Sequence, residues 1–212
     1  AAAQAVVGRH DMLLYSLVRK SLVFRDAGDR YELHPLIHAF AGDKQSDLPA
    51  ASALFAQAYA QHTAYYLQLL RDRAASLQRG APRSLLAMLQ IEHDNIRAAW
   101  LRAVERADWD AIAQTIKGLA HFYLQGGLYR EGIQLIERAL AAANRHAAPQ
   151  QVVAALLLAQ ANLEMTLSRF DTALAAIAQV LALPDSDRIT RIEAHLMWAH
   201  VLDGQGDYAG VL

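Results

Sequence analysis

The spacing of hydrophobic positions changes near the start of the chain and then settles into a helical period. From Asp11, residues Leu13, Leu14, Leu17 and Val18 recur three and four apart, which predicts a helix closed by Lys20-Ser21. The runs SLVFRD and RYELH are short and β-prone, and Ala27-Gly28-Asp29 between them supplies the glycine and aspartate of a tight hairpin loop. Pro35 then opens a helix, LIHAFAGDK, because its φ is preset for the first turn and its missing N–H would be unpaired there anyway. His34 becomes the N-cap. Gly42 to Pro49 has linker character, with helix-start signals at Asp47 and Pro49, so a domain boundary is expected near Gln45. Phe55, Tyr59, His62, Tyr66 and Leu69 recur at spacings of 4, 3, 4 and 3, one apolar face of a long helix that runs to about Leu77. Arg79-Gly80-Ala81-Pro82 breaks it. A second long helix is expected from about Ser84 to Arg106, burying Leu85, Leu89, Ile96 and Trp100.

Beyond Asp108 the chain repeats. GLYREG, SRFDTA and GDYAGV share a small residue (Gly127, Ser168, Gly206), an aromatic two places on (Tyr129, Phe170, Tyr208), then a small or modest apolar residue (Gly132, Ala173, Val211). The units lie 41 and 38 residues apart. Each reads as two antiparallel helices, with the small residue opening the turn, the aromatic filling the gap and the third position allowing close approach. The pattern resembles the tetratricopeptide repeat (TPR), whose usual period is about 34 residues. On that motif Leu119 and Tyr123 take the core positions of the first helix and Ala139 the small packing position of the second, while the second unit departs with Gln160 and Glu164. The expected fold is therefore all-α: a partial winged helix with a small β-hairpin over 1–46, a helical connector over 47–107, and an α-α superhelix of TPR-like pairs over 108–212.

Composition agrees with a helical, globular protein. Hydrophobic residues make up 54% of 212, dominated by alanine, and the net charge of -1 comes from 20 basic and 21 acidic residues, so no overall basic field attracts nucleic acid. The densest apolar run, Val152 to Ala159, falls well short of the roughly 18 residues a membrane helix needs. No cysteine is present and no signal-peptide pattern occurs, which points to a cytoplasmic address without disulfides. The opening AAAQAVVGRH and the closing GDYAGVL read as the edges of a piece of a longer protein.

Two further segments resemble a particular family. LVRKSLVFRDAGDRYELHPLIHAFA resembles the end of the winged-helix domain of signal-transducing NTPases with numerous domains, the STAND class, which includes the maltose-regulator type of bacterial activator. The stretch from Ile91 to Leu140 is similar to the segment C-terminal to that domain in the same proteins, where a Glu-x-x-Asn-x-x-Ala-Ala pattern, here Glu92, Asn95, Ala98 and Ala99, leads into the first repeats. The resemblance implies a switch: ATP or ADP with Mg bound in a preceding P-loop domain, an inactive ADP state held through the winged helix, and repeats that sense an inducer. The P-loop pattern G-x-x-x-x-G-K-[ST] does not occur in this chain, so hydrolysis by that device is not expected of it. In the family a histidine after the hairpin, in a Met-His-Asp type motif, reaches toward the ADP phosphate. Leu33-His34-Pro35 matches at the histidine only, so a nucleotide-sensing role carries to His34 and the aspartate's role does not carry. Since activated members assemble through the nucleotide domain, this chain is expected to be monomeric.

Candidate chemistry is sparse. His34 and His38 form H-x-x-x-H, a zinc-like spacing, yet no cysteine or acidic cluster completes a ligand set. A structural cap and a nucleotide contact both remain open for His34. DNA contact is disfavoured, because the helix before the hairpin offers only Arg19 and Lys20, with Arg25 and Arg30 on the wing. Repeats of this kind take ligands on the concave face of their first helices, and the motif positions facing it are Gln114, Lys117, His121, Gln125, Asn162, His200 and Asp203. They are polar and mixed in sign, which suits a hydrogen-bonding groove for a protein segment or small-molecule inducer. They do not reproduce the lysine-and-asparagine clamp by which chaperone-associated repeats hold a C-terminal carboxylate. No hydrolase or metalloprotease signature occurs, and Asp108 with Asp110 sits at a helix start, where carboxylates favour the dipole. The chain is expected to be no enzyme; the reading that competes with a STAND regulator is a free-standing TPR scaffold that assembles proteins.

Overall fold

The computed structural model describes Ala2 and residues 11–26, 30–46, 52–184 and 186–205, most of them helical. By compactness the chain divides into two units between Tyr65 and Tyr66.

In the first unit, helix α1 (Asp11–Arg19) leads to strands β1 (Val23–Arg25) and β2 (Tyr31–Leu33), then to α2 (Pro35–Ser46) and the opening of α3 (Ser52–Gln78). The strands pair antiparallel, Val23 with Leu33, Phe24 with Glu32 and Arg25 with Tyr31. Residues 27–29, where the hairpin loop is expected, lie outside the described residues, but Asp26 Oδ1 accepts from the Arg30 amide at 2.9 Å beside it. Helix α2 continues through Gly42 to Ser46, the first part of the stretch read as a linker. Asp43, Lys44 and Gln45 can all extend a helix, and Lys44 in the last turn favours the negative end of the dipole.

The second unit continues α3 and adds α4 (Arg83–Ile91), α5 (His93–Glu105), α6 (Trp109–Gln125), α7 (Tyr129–Arg145), α8 (Gln150–Thr166), α9 (Phe170–Ala182) and α10 (Arg188–Gln205). Where one long helix was expected from Ser84 to Arg106, there are two, separated at Glu92 (φ -93°, ψ 7°). From α6 onward each helix packs on its successor, and α8 also packs on α6 and α10. Trp100, Phe122 and Tyr123 are fully buried, and Ala154, Leu157 and Ala161 of α8 share a core with Ala173, Ile177 and Val180 of α9.

Four successive helix ends close in the same way. Ala107 (φ 52°), Gly127 (φ 72°), Ala147 (φ 48°) and Ser168 (φ 56°) each adopt the left-handed conformation one residue past a helix cap. The next amide then reaches back five residues: Asp108 to the Ala103 carbonyl, Leu128 to Tyr123, Ala148 to Ala143 and Arg169 to Glu164, all at 3.0 Å. This is the Schellman closure, which satisfies carbonyls that a helix end would otherwise leave unpaired. Ser21 (φ 55°) ends α1 likewise, with the Leu22 amide on the Leu17 carbonyl.

Close packing depends on Gly132. A Cβ there would lie 2.8 Å from Tyr123 Cβ and 3.0 Å from Leu163 Cδ1, so α7 crosses α6 with no room for a methyl group. Ala173 stands at the corresponding place in the next unit and is fully buried. Glu164, at the place of Tyr123, is also buried, and Arg169 Nη1 meets its carboxylate at 3.3 Å.

The turns differ in one respect that stability measurements can read. A left-handed alanine costs about 1 kcal/mol that glycine does not. Ala147→Gly should therefore stabilise the chain by about 1 kcal/mol in urea denaturation, and Gly127→Ala should cost a similar amount. Nothing lies within 4 Å of a Cβ at Gly127, so its cost would come from backbone conformation and not from collision.

Candidate functional site

Two groups of polar side chains stand out in the second unit, one half-buried at the joint of α3, α4 and α5, the other along α6. At the joint, Glu92 Oε2 accepts from the Tyr66 hydroxyl at 2.8 Å and from Asn95 Nδ2 at 2.9 Å. The helix breaks at the residue that receives both bonds. His93, next in sequence, places Nε2 at 3.2 Å from both the Tyr123 hydroxyl and Glu131 Oε2, and Nδ1 at 3.4 Å from Asp94 Oδ1. Arg97 Nε lies 3.4 Å from the other Glu131 oxygen. Burial, and after it the charge of Glu131, pushes the Tyr123 hydroxyl well above its ordinary range, so it stays a protonated donor. The Glu-x-x-Asn-x-x-Ala-Ala pattern thus has a structural use: Glu92 and Asn95 fasten α5 to α3, and Ala99 is fully buried. Sequence reasoning singled out Glu92 and Asn95 but missed His93 and Glu131, whose only signal was position beside that pattern and in the first turn of α7.

Along α6 the expected groove residues have unequal surroundings. Gln114 accepts a hydrogen bond from Arg71 of α3. Lys117 Nζ lies 3.1 Å from Glu193 Oε1 of α10, an exposed ion pair that passes over α8. One turn on, His121 is half-buried, and burial followed by the Lys117 charge lowers its pKa below 6.5. Gln125 is turned to α3: its Nε2 donates to the Leu77 carbonyl and its Oε1 accepts from the Ala81 amide at 2.8 Å. It closes the end of α3. Asn162 is half-buried on α8, and His200 and Asp203 are exposed on α10. The structure therefore links Lys117 to α10 and places His121 beside it, while Gln114 and Gln125 are engaged with α3 and its C-terminal turn. Glu193 was missed; its partner is 76 residues away in sequence.

His34 sits at the N-cap of α2 in the first unit. Its Nδ1 accepts from the Leu36 amide at 3.2 Å, and the residue is exposed. An acceptor Nδ1 fixes the tautomer, so Nε2 carries the proton and is the ring's donor. His38 lies within α2, but its side chain is outside the described residues. Among the described residues no group of three His, Asp or Glu stands together to hold a metal ion, and no helix is long and apolar enough to cross a membrane. Comparison with protein-family models, curated proteins and solved structures gives no match for this chain.

Both groups can be probed in solution. Glu92→Ala strips an acceptor from the Tyr66 hydroxyl and the Asn95 amide and should cost about 1–3 kcal/mol in denaturant unfolding, with Tyr66→Phe costing about 1 kcal/mol. For His121, the folded-state pKa lies below that of the unfolded chain, so as pH falls the unfolded chain takes up its proton first. Its contribution to stability is complete above pH 6.5 and declines below it, levelling once the folded imidazole is protonated. An NMR titration of His121 should give a midpoint below 6.5, and His121→Gln should remove that part of the pH dependence.

Proposed function

We propose that this chain is a regulatory module of a STAND-type signalling protein and works by binding and conformational coupling rather than by catalysis. In this reading the helix–hairpin–helix of the first unit belongs to a winged helix. The helix pairs from α6 onward form a TPR-like array whose first helices receive an inducer, either a small molecule or a protein segment. The observation that carries the sensing role is the Lys117–Glu193 ion pair, which joins α6 to α10 across α8 with His121 at its edge. An exposed pair of this kind is worth about 0–1 kcal/mol, so a ligand offering its own charges can replace it and alter the spacing of the two helices.

The nucleotide part of the reading rests on the sequence resemblance, and the geometry at His34 supports it. A capping Nδ1 leaves an exposed Nε2–H, a donor of the kind a phosphate oxygen accepts. Pro35 offers no acidic partner, so His34 would be the single contact from this motif. Exposed Leu13, Phe24, Leu36 and Phe40 give the first unit the apolar surface of a module that packs on another domain. ATP or ADP with Mg would be held by that domain.

The test is to purify the complete gene product and measure the nucleotide it retains. ADP should copurify near stoichiometrically with the natural protein and fall with His34→Ala, which should also raise signalling output without inducer. A folded complete protein that retains no nucleotide, or a His34→Ala variant as silent and as fully loaded as the parent, would overturn the reading.

A further inference from the structure

His93 opens α5 with its ring set against two other helices. Nε2 lies 3.2 Å from the Tyr123 hydroxyl of α6 and 3.2 Å from Glu131 Oε2 of α7, while Nδ1 lies 3.4 Å from Asp94 Oδ1 of its own helix. The Tyr123 ring meets the imidazole edge-on at 5.6 Å and Phe122 packs on it at 6.1 Å, so α6 holds the ring in place. Two further charged groups stand close: Arg97, one turn along α5 and 3.4 Å from the other Glu131 oxygen, and Glu92, whose carboxylate is engaged by Tyr66 and Asn95. Arg130, beside Glu131 on α7, is exposed, and α4 carries a single ionisable group, Arg83, at its far end.

A neutral imidazole has one N–H and one lone pair, and neither placement serves all three oxygens. With the proton on Nδ1, Asp94 accepts it and Nε2 receives the Tyr123 O–H, but Glu131 then faces a lone pair. With the proton on Nε2, Glu131 accepts it and the Tyr123 hydroxyl, which stays protonated, loses its acceptor. Burial favours the first arrangement: Tyr123 is fully buried, whereas Glu131 is 32% exposed and keeps Arg97. An imidazolium, with N–H on both nitrogens, serves both carboxylates. We propose that His93 exchanges helix contacts with its proton: neutral, it holds α6 through Tyr123; protonated, it gives up that hydroxyl and holds α7 through Glu131, with Asp94 taking the other N–H. One proton passes from solvent to Nε2 and no covalent bond changes. Histidine exchanges its proton between about pH 5 and 8, so acid moves the grip of α5 from one neighbour to the other. The exchange involves neither nucleotide nor inducer and is independent of the STAND reading.

Nitrogen-15 NMR of the imidazole in the complete 212-residue chain reads the ring directly. At about pH 8 the His93 proton should sit on Nδ1, with Nε2 an acceptor, and at about pH 5.5 both nitrogens should be protonated. Double-mutant cycles in urea then read the two contacts. Coupling between His93→Ala and Glu131→Gln should be near nil at about pH 8 and reach about threefold in the unfolding constant at about pH 5.5. Coupling between His93→Ala and Tyr123→Phe should run the opposite way, present at the higher pH and lost at the lower. A neutral ring that carries its proton on Nε2, or a Glu131 coupling equal at the two pH values, would overturn the proposal. Should a double variant fail to fold, the ring nitrogens of the unaltered chain still decide the matter.

Discussion

A helix can stop inside a packed array only if its last carbonyls find donors, and here that requirement is met four times running by one left-handed residue. Ala107, Gly127, Ala147 and Ser168 succeed one another at intervals of 20, 20 and 21 residues. That interval is one helix with its closing turn, and the repeat read in the sequence is about twice as long because it counts a pair of helices. The turns before α6 and α8 close alike while α9 ends on an extended Leu183 before α10, yet Phe122, Leu163 and Val201 all reach buried places. The packing at Gly132 and Ala173 depends on that phase being kept.

What could be read in the sequence was what is decided locally. The presence of two antiparallel strands, the capped start of α2 and the helices after Asp108 all rest on signals within a few residues of the feature. The break at Glu92 does not. Glutamate is a good helix former and nothing beside it forbids continuation; the hydrogen bond that occupies its carboxylate comes from Tyr66, 26 residues earlier. The same holds for Gln125, which resembles a groove residue by position but has partners 44 and 48 residues away. Two of the four turns were equally hidden, because Ala107 and Ala147 adopt a conformation that glycine would have announced.

The polar interior is distributed unevenly for a reason visible in the first two helix pairs. Tyr123 and Glu164 hold equivalent positions, and both present a polar tip to a place that side chains cannot leave dry and unpaired. The tyrosine finds His93 beside it, and the glutamate is met by Arg169 from the turn after its own helix. A carboxylate replacing an aromatic ring at a core position looks like a departure from the repeat, yet the arginine five residues later supplies its counter-charge.

The Lys117–Glu193 pair joins helices that are second neighbours, with α8 between them. The pair is held by solvent-exposed charge, so it strengthens in dilute salt and weakens in concentrated salt, and the tie between α6 and α10 is one that ionic strength can loosen while the buried core stays untouched.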